Sequence, residues 1–161
     1  MDVANGSMGV YPEEDMILAL DPGRDKTGFA FVDMQGDLLA SGIFESSQRD
    51  KFFENLGGGI SFLEGNAERI AHSRVKFIAL GNGTGSKEFH DYVKRVTDYE
   101  IKVVNEKNTT LEARELYWRL HEPSFLMRLI PKNLRVPDRI LDDLAAWAIG
   151  LRALKVLREK I

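Results

Sequence analysis

The stretch Met16-Ile-Leu-Ala-Leu20 is apolar at every consecutive position, which predicts a strand buried on both faces. It ends at Asp21-Pro-Gly23. Gly28 to Met34 predict a second strand, and Gly36-Asp37 a turn into a third over about Leu38 to Phe44. After Ser46 or Ser47 as a cap, Phe52, Leu56, Ile60, Leu63, Ala67 and Ile70 recur at helical spacing, and Gly57-Gly58-Gly59 is expected to break that helix. Val75 to Leu80 predict a fourth strand, followed by a glycine-rich turn and a helix to about Val96. Ile101 to Val104 predict a fifth strand, and Thr109-Thr110-Leu111-Glu112 has the capping-box pattern that opens a helix through Leu120. Glu122 to Val136, with Pro123, Pro131 and Pro137 in or beside it, reads as irregular or a short helix. Asp138 then caps a final helix to about Glu159. Hairpins first and strand–helix alternation afterwards predict an α/β fold, a mixed five-stranded sheet flanked by helices.

The chain has 161 residues, enough for one domain with its own core. Residues 1–15 read as a flexible leader and residues 16–161 as a single domain. No apolar run approaches the roughly 18 residues of a membrane span, so no membrane partner is expected. The polar residues ahead of Met16 have neither a basic start nor an apolar signal core, so export is not expected. Cysteine is absent, which removes disulfides, zinc–thiolate sites and thiol catalysis and fits a reducing, cytoplasmic setting. A net charge of −3 argues against a protein that coats nucleic acid through phosphate neutralisation. It leaves room for an acidic catalytic site with local basic patches.

The chemistry gathers at strand ends. In open α/β sheets, ligands collect outside the carboxyl ends of parallel strands. Here those ends carry Asp21, the run Gly81-Asn82-Gly83-Thr84-Gly85-Ser86, and Glu106. A carboxylate after a buried strand costs stability unless a cation or a metal meets it. Asp142 and Asp143 open the final helix, where the dipole alone favours acids. The small pair Ala145-Ala146 lets that helix lie close to the sheet and brings Asp142 towards Asp21; Asp143 points about a hundred degrees further round. Three carboxylates from distant segments suit divalent-metal binding and phosphoryl transfer. Gly23, Lys26, Gly28, Asn82, Gly83, Thr84, Lys107, Thr109 and Thr110 surround these positions as candidate substrate contacts. The plain alternatives are a strand-ending turn at Asp21 and a surface acid at Glu106. Trp118, Trp147 and Phe52-Phe53 read as core.

At these residues the chain resembles the YqgF family of RNase H-like nucleases, also called RuvX and associated with Holliday junction resolution. Asp21-Pro-Gly23…Lys26-Thr-Gly28-Phe-Ala30 is similar to that family's first motif, and Asn105-Glu106-Lys107-Asn108-Thr109-Thr110 to its Asp-Glu-Arg-x-Thr-Thr motif. Asp142-Asp143-Leu144-Ala145-Ala146 resembles its last motif, and Gly81-Asn82-Gly83-Thr84 the matching segment of the YqgF-like domain of the transcription accessory protein Tex. Two positions depart: Asn105 stands where an acid is usual, and Phe77 to Gly81 lack the acid of RuvC-type resolvases. The resemblance implies an RNase H-like domain over residues 16–161, and two-metal hydrolysis of phosphodiesters with Mg²⁺ or Mn²⁺. It gives the ligand set as Asp21, Glu106 and Asp142, with Asp143 as the other candidate at the helix start. It implies structured nucleic acid as substrate, junction DNA or precursor rRNA, and a cytoplasmic monomer or homodimer. Two other readings stand beside it: a non-catalytic RNase H-like module that binds nucleic acid or protein, and an actin-like nucleotide-binding domain.

Overall fold

A computed structural model describes residues 14–54, 56, 64–65, 73–135, 137 and 139–160. Three strands come first, β1 (Glu14–Pro22), β2 (Lys26–Asp33) and β3 (Leu38–Glu45), paired antiparallel in sequence order. A 3-10 turn at Ser46–Gln48 leads into α1 (Arg49–Glu54). The two-residue strand β4 (Glu64–Gly65) pairs with β3 at Ser41 and Ala40. Then follow β5 (Ser73–Gly81), α2 (Ser86–Val96), β6 (Ile101–Val104) and α3 (Thr109–Leu120). After α3 come the single turn α4 (Phe125–Arg128), a 3-10 turn at Lys132–Leu134, and α5 (Asp142–Glu159). The sheet order is β4-β3-β2-β1-β5-β6, with β1, β5 and β6 parallel.

The α/β architecture and the mixed sheet between helices match the sequence expectation, with one short strand added at the edge. That strand, Glu64–Gly65, falls where the helical spacing beyond the expected glycine break predicts a second helical piece; α1 spans Arg49–Glu54. The glycine run 57–59 lies outside the described residues. The final helix begins at Asp142 and is capped by Leu141 rather than by Asp138, with no side-chain capping bond; residue 138 is outside the described residues. The capping box at the start of α3 does not form either. Asn108 occupies the cap in a left-handed conformation (φ 68°), and Thr109 Oγ1 donates back to the Glu106 carbonyl, while Glu112 pairs with Arg152.

Strand alternation sorts the core into two layers. Met16, Leu18 and Leu20 of β1 face α1 and α2, packing with Phe29, Phe31, Ile78, Leu80, Phe52, Phe89 and Val93. Ile17 and Ala19 face α3 and α5, packing with Ala30, Val32, Phe77, Ala79, Leu116 and a run of α5 residues. Small residues let α5 approach the sheet closely within this second layer, which also holds Phe77, Tyr117 and Trp147. A Cβ on Gly150 of α5 would sit 3.0 Å from Val32 Cγ2 and 3.2 Å from Ala19 Cβ, so helix and sheet are already in contact there. Trp147 is buried and donates its indole N–H to the Gly36 carbonyl, but Trp118 is only partly buried. No helix among the described residues is long and apolar enough to cross a membrane.

Candidate active site

The same alternation decides where the chemistry points. Asp21 continues the series Ile17, Ala19, and so projects from the sheet face that α5 covers. Gly28 continues Ala30 and Val32 on β2, and Gly81 continues Phe77 and Ala79 on β5; both share that face. Asp21 pairs with Gly28 across the antiparallel ladder, and Gly81 pairs with Val104 across the parallel one.

Each glycine leaves room for one further acid. A Cβ on Gly28 would lie 1.9 Å from the Asp142 carbonyl oxygen, so the first turn of α5 rests on the bare backbone of β2 directly opposite Asp21. On the other side, a Cβ on Gly81 would lie 2.3 Å from Glu106 Oε2, and one on Gly83 would lie 1.7 Å from Glu106 Oε1. The Glu106 side chain therefore leans back from the end of β6 across the end of β5, towards Asp21. Asn82 holds the base of that acid, its Oδ1 accepting the Glu106 N–H at 3.1 Å. On α5, Arg152 donates to the Asn105 carbonyl at 2.7 Å and pairs with Glu112, which ties the Glu106 loop to the helix.

The electrostatics register this convergence. Burial, then the charges of Glu106 and Asp142, then hydrogen-bonding reach to Glu106, raise the Asp21 carboxyl from 3.8 to about 7. Asp142 is raised by burial and by Asp143, and lowered by the nearby Lys26 cation. Glu106 Oε2 is a buried oxygen with no hydrogen-bond partner among the described residues. Such an orphan is uncommon in folded proteins. Hard oxygen donors, raised carboxyls and an orphaned oxygen fit a divalent cation in chemical character. Among the described residues, however, no group of three or more acids or histidines closes into a ready metal-ligand arrangement. The acids lie within one another's field without meeting at a point.

Asp143 is held differently. It is fully buried, and its oxygens accept hydrogen bonds from Ser41 Oγ (2.7 Å) and from Arg139 (2.7 and 3.4 Å). That network fastens the start of α5 to β3. Several expected substrate contacts have structural tasks in the same way. Gly28 lies buried under α5 and Gly83 under Glu106, Gly23 lies against the Lys26 carbonyl in the β1–β2 turn, and Thr109 bonds the Glu106 carbonyl. Lys26, Asn82, Thr84, Lys107 and Thr110 are exposed around the acids. The sequence reading passed over Gly81 as a seat for Glu106. Its signal was the glycine pair at positions 81 and 83, two apart and so on one side of an extended chain.

No protein-family model matches the chain, and no curated protein matches it. Among solved structures it is similar to a ROK family transcriptional regulator, a homolog of the E. coli MLC protein, at 14% identity and a TM-score of 0.41. The match covers 65% of this chain and 31% of that one, so the chain spans about a third of the length of that structure. A likeness this distant carries no argument about activity.

Proposed function

We propose that the protein is a divalent-metal-dependent nuclease of RNase H-like fold that hydrolyses phosphodiester bonds in structured nucleic acid. The observation that carries this reading is the approach of Asp21, Glu106 and Asp142 from three distant segments; burial first, and then the charges of the other two acids, raise Asp21 to about 7. Three antiparallel strands followed by parallel β5 and β6 also agree with the sheet that the YqgF resemblance implies.

Bound Mg²⁺ or Mn²⁺ would supply an activated water and stabilise the leaving oxygen of a phosphodiester. Asp21, with Glu106 on the β5 side and Asp142 on the β2 side, would hold the cations. Positive charge there would favour the ionised form of Asp21, whose carboxyl is otherwise raised to about 7. Lys26 stands close enough to act on the charge of Asp142, a position from which it meets an incoming phosphate. Asn82 commits its oxygen to the Glu106 N–H, which leaves its NH₂ group for a phosphate oxygen. Asp143, engaged with Ser41 and Arg139, sets the position of Asp142.

The deciding experiment is cleavage of junction DNA and of precursor rRNA with and without Mg²⁺ or Mn²⁺, wild type beside Asp21→Asn. Metal-dependent cleavage by the wild type and none by the variant is expected. Equal cleavage by both would overturn the mechanism. Absence of cleavage on every substrate would favour a non-catalytic binding module, the reading that the open arrangement of the acids favours.

A further inference from the structure

We infer that the cavity between α3 and the segment Pro123 to Arg135 is a subsite for an unpaired nucleotide of the strand bound at the acid cluster, a proposal that rests on the nuclease reading. Helix α3 has two working faces. Ala113, Leu116 and Tyr117 are buried against α5 and the sheet. Leu111, Arg114, Glu115, Trp118 and Arg119 follow the spacing of one opposite face and line a cavity of about 610 Å³, with Lys132 and Arg135 across it. That volume lies within the roughly 300–1,000 Å³ of ligand pockets.

The lining has a particular chemistry. Four cations, Arg114, Arg119, Lys132 and Arg135, face a single acid, Glu115, in a chain whose net charge is −3. Among the described residues Arg114, Arg119 and Lys132 have no carboxylate within ion-pair distance. Arg135 instead donates to the carbonyls of Ile130 (3.0 Å) and Arg128 (3.3 Å), which fixes the far wall. Trp118 supplies the aromatic surface. Its ring is braced edge-on against Tyr117 (centroids 4.8 Å, 83°), and its indole nitrogen has no acceptor among the described residues.

A planar aromatic wall beside unpaired cations matches a base and its phosphate. Bases stack on aromatic side chains, and phosphates pair with guanidinium groups. An acidic peptide would meet the cations and leave the indole without a planar partner. The location suits a strand as well. Helix α3 starts three residues after Glu106, and Arg114 lies about 7.5 Å along its axis from Thr109. That is about two nucleotide steps at ~3.4 Å each.

The test is a fluorescence titration of the full chain in EDTA with a short single-stranded oligonucleotide. Buried Trp147 serves as the unresponsive reference. Saturable quenching is expected, absent in Trp118→Phe and shifted to about tenfold weaker binding in Arg114→Ala/Arg119→Ala. Asp21→Asn should quench like the wild type while losing cleavage. Unchanged affinity in the double arginine variant would overturn the subsite. So would an equal response to a polyglutamate peptide. Cleavage by wild type without Trp118-dependent binding would remove the subsite alone, whereas Trp118-dependent binding without cleavage by wild type would remove the nuclease reading alone.

Discussion

Glycine does the positioning at the residue scale. Gly81 and Gly83 each leave a gap that one oxygen of Glu106 fills, and either methyl group would push that carboxylate away from Asp21. At Gly83 the obstructed atoms all belong to the flexible Glu106 side chain, whereas at Gly81 the buried Ile149 Cδ1 also lies 2.8 Å away, so the fold should tolerate the change at Gly83 while cleavage, on the proposed reading, does not. Gly83→Ala is therefore expected to melt within a few degrees of wild type yet to lose about 100-fold in cleavage rate, the scale of a misplacement near 1 Å. Single-turnover assays beside a thermal melt check both halves. The three acids were legible in the sequence because each follows a strand or opens a helix. The role of the glycines was not, because a missing side chain gives no sign of which distant residue occupies the space. Gly28 was legible as a close approach, but of the wrong partner: it admits the Asp142 carbonyl.

At the scale of elements, α5 is the part whose seat matters most. Gly28→Ala would drive a Cβ into the Asp142 backbone at 1.9 Å, and a helix start cannot rotate aside as a side chain can. A stability loss of about 1–3 kcal/mol is expected, together with lost cleavage, as overpacking forces backbone shifts. Arg139→Ala tests the second anchor. Among the described residues it would leave the fully buried Asp143 with Ser41 as its side-chain partner, and removing one partner of a buried ion pair costs about 3–5 kcal/mol. Urea unfolding of both variants measures these losses. The sequence placed the core strands well because consecutive apolar positions carry their own signal. It misplaced the start of α5 by three residues, because Asp138 is a good cap by type while the helix start is set by contacts with β2 and β3.

For the whole molecule, the acid cluster makes stability depend on pH. The folded chain holds the Asp21 proton up to about 7, whereas the unfolded chain releases it near 3.8. Between those values the native state binds more protons, so stability falls as pH rises through that window and the full penalty is present above it. Asp21→Asn should therefore raise the melting temperature of the metal-free protein at pH 8 and change it little at pH 4. Mg²⁺ should stabilise the wild type more at pH 8 than at pH 5, since bound cations replace the missing proton. A variant that melts identically to wild type at both pH values would count against a coupled cluster. The order of elements was readable from sequence, as was the mixed sheet. Which strand ends would meet on one side was fixed by alternation within paired strands, and that needs the register.

The grip of Arg152 on the Asn105 carbonyl has a further consequence. A single rod carries Asp142 at its first turn and, ten residues on, the clasp that steadies the loop bearing Glu106. Loosening this rod would release two corners of the triangle together, leaving no partly assembled form in between. On the proposed nuclease reading, cleavage should then vanish as an all-or-none event, in step with amide exchange along the rod and ahead of exchange in the central strands.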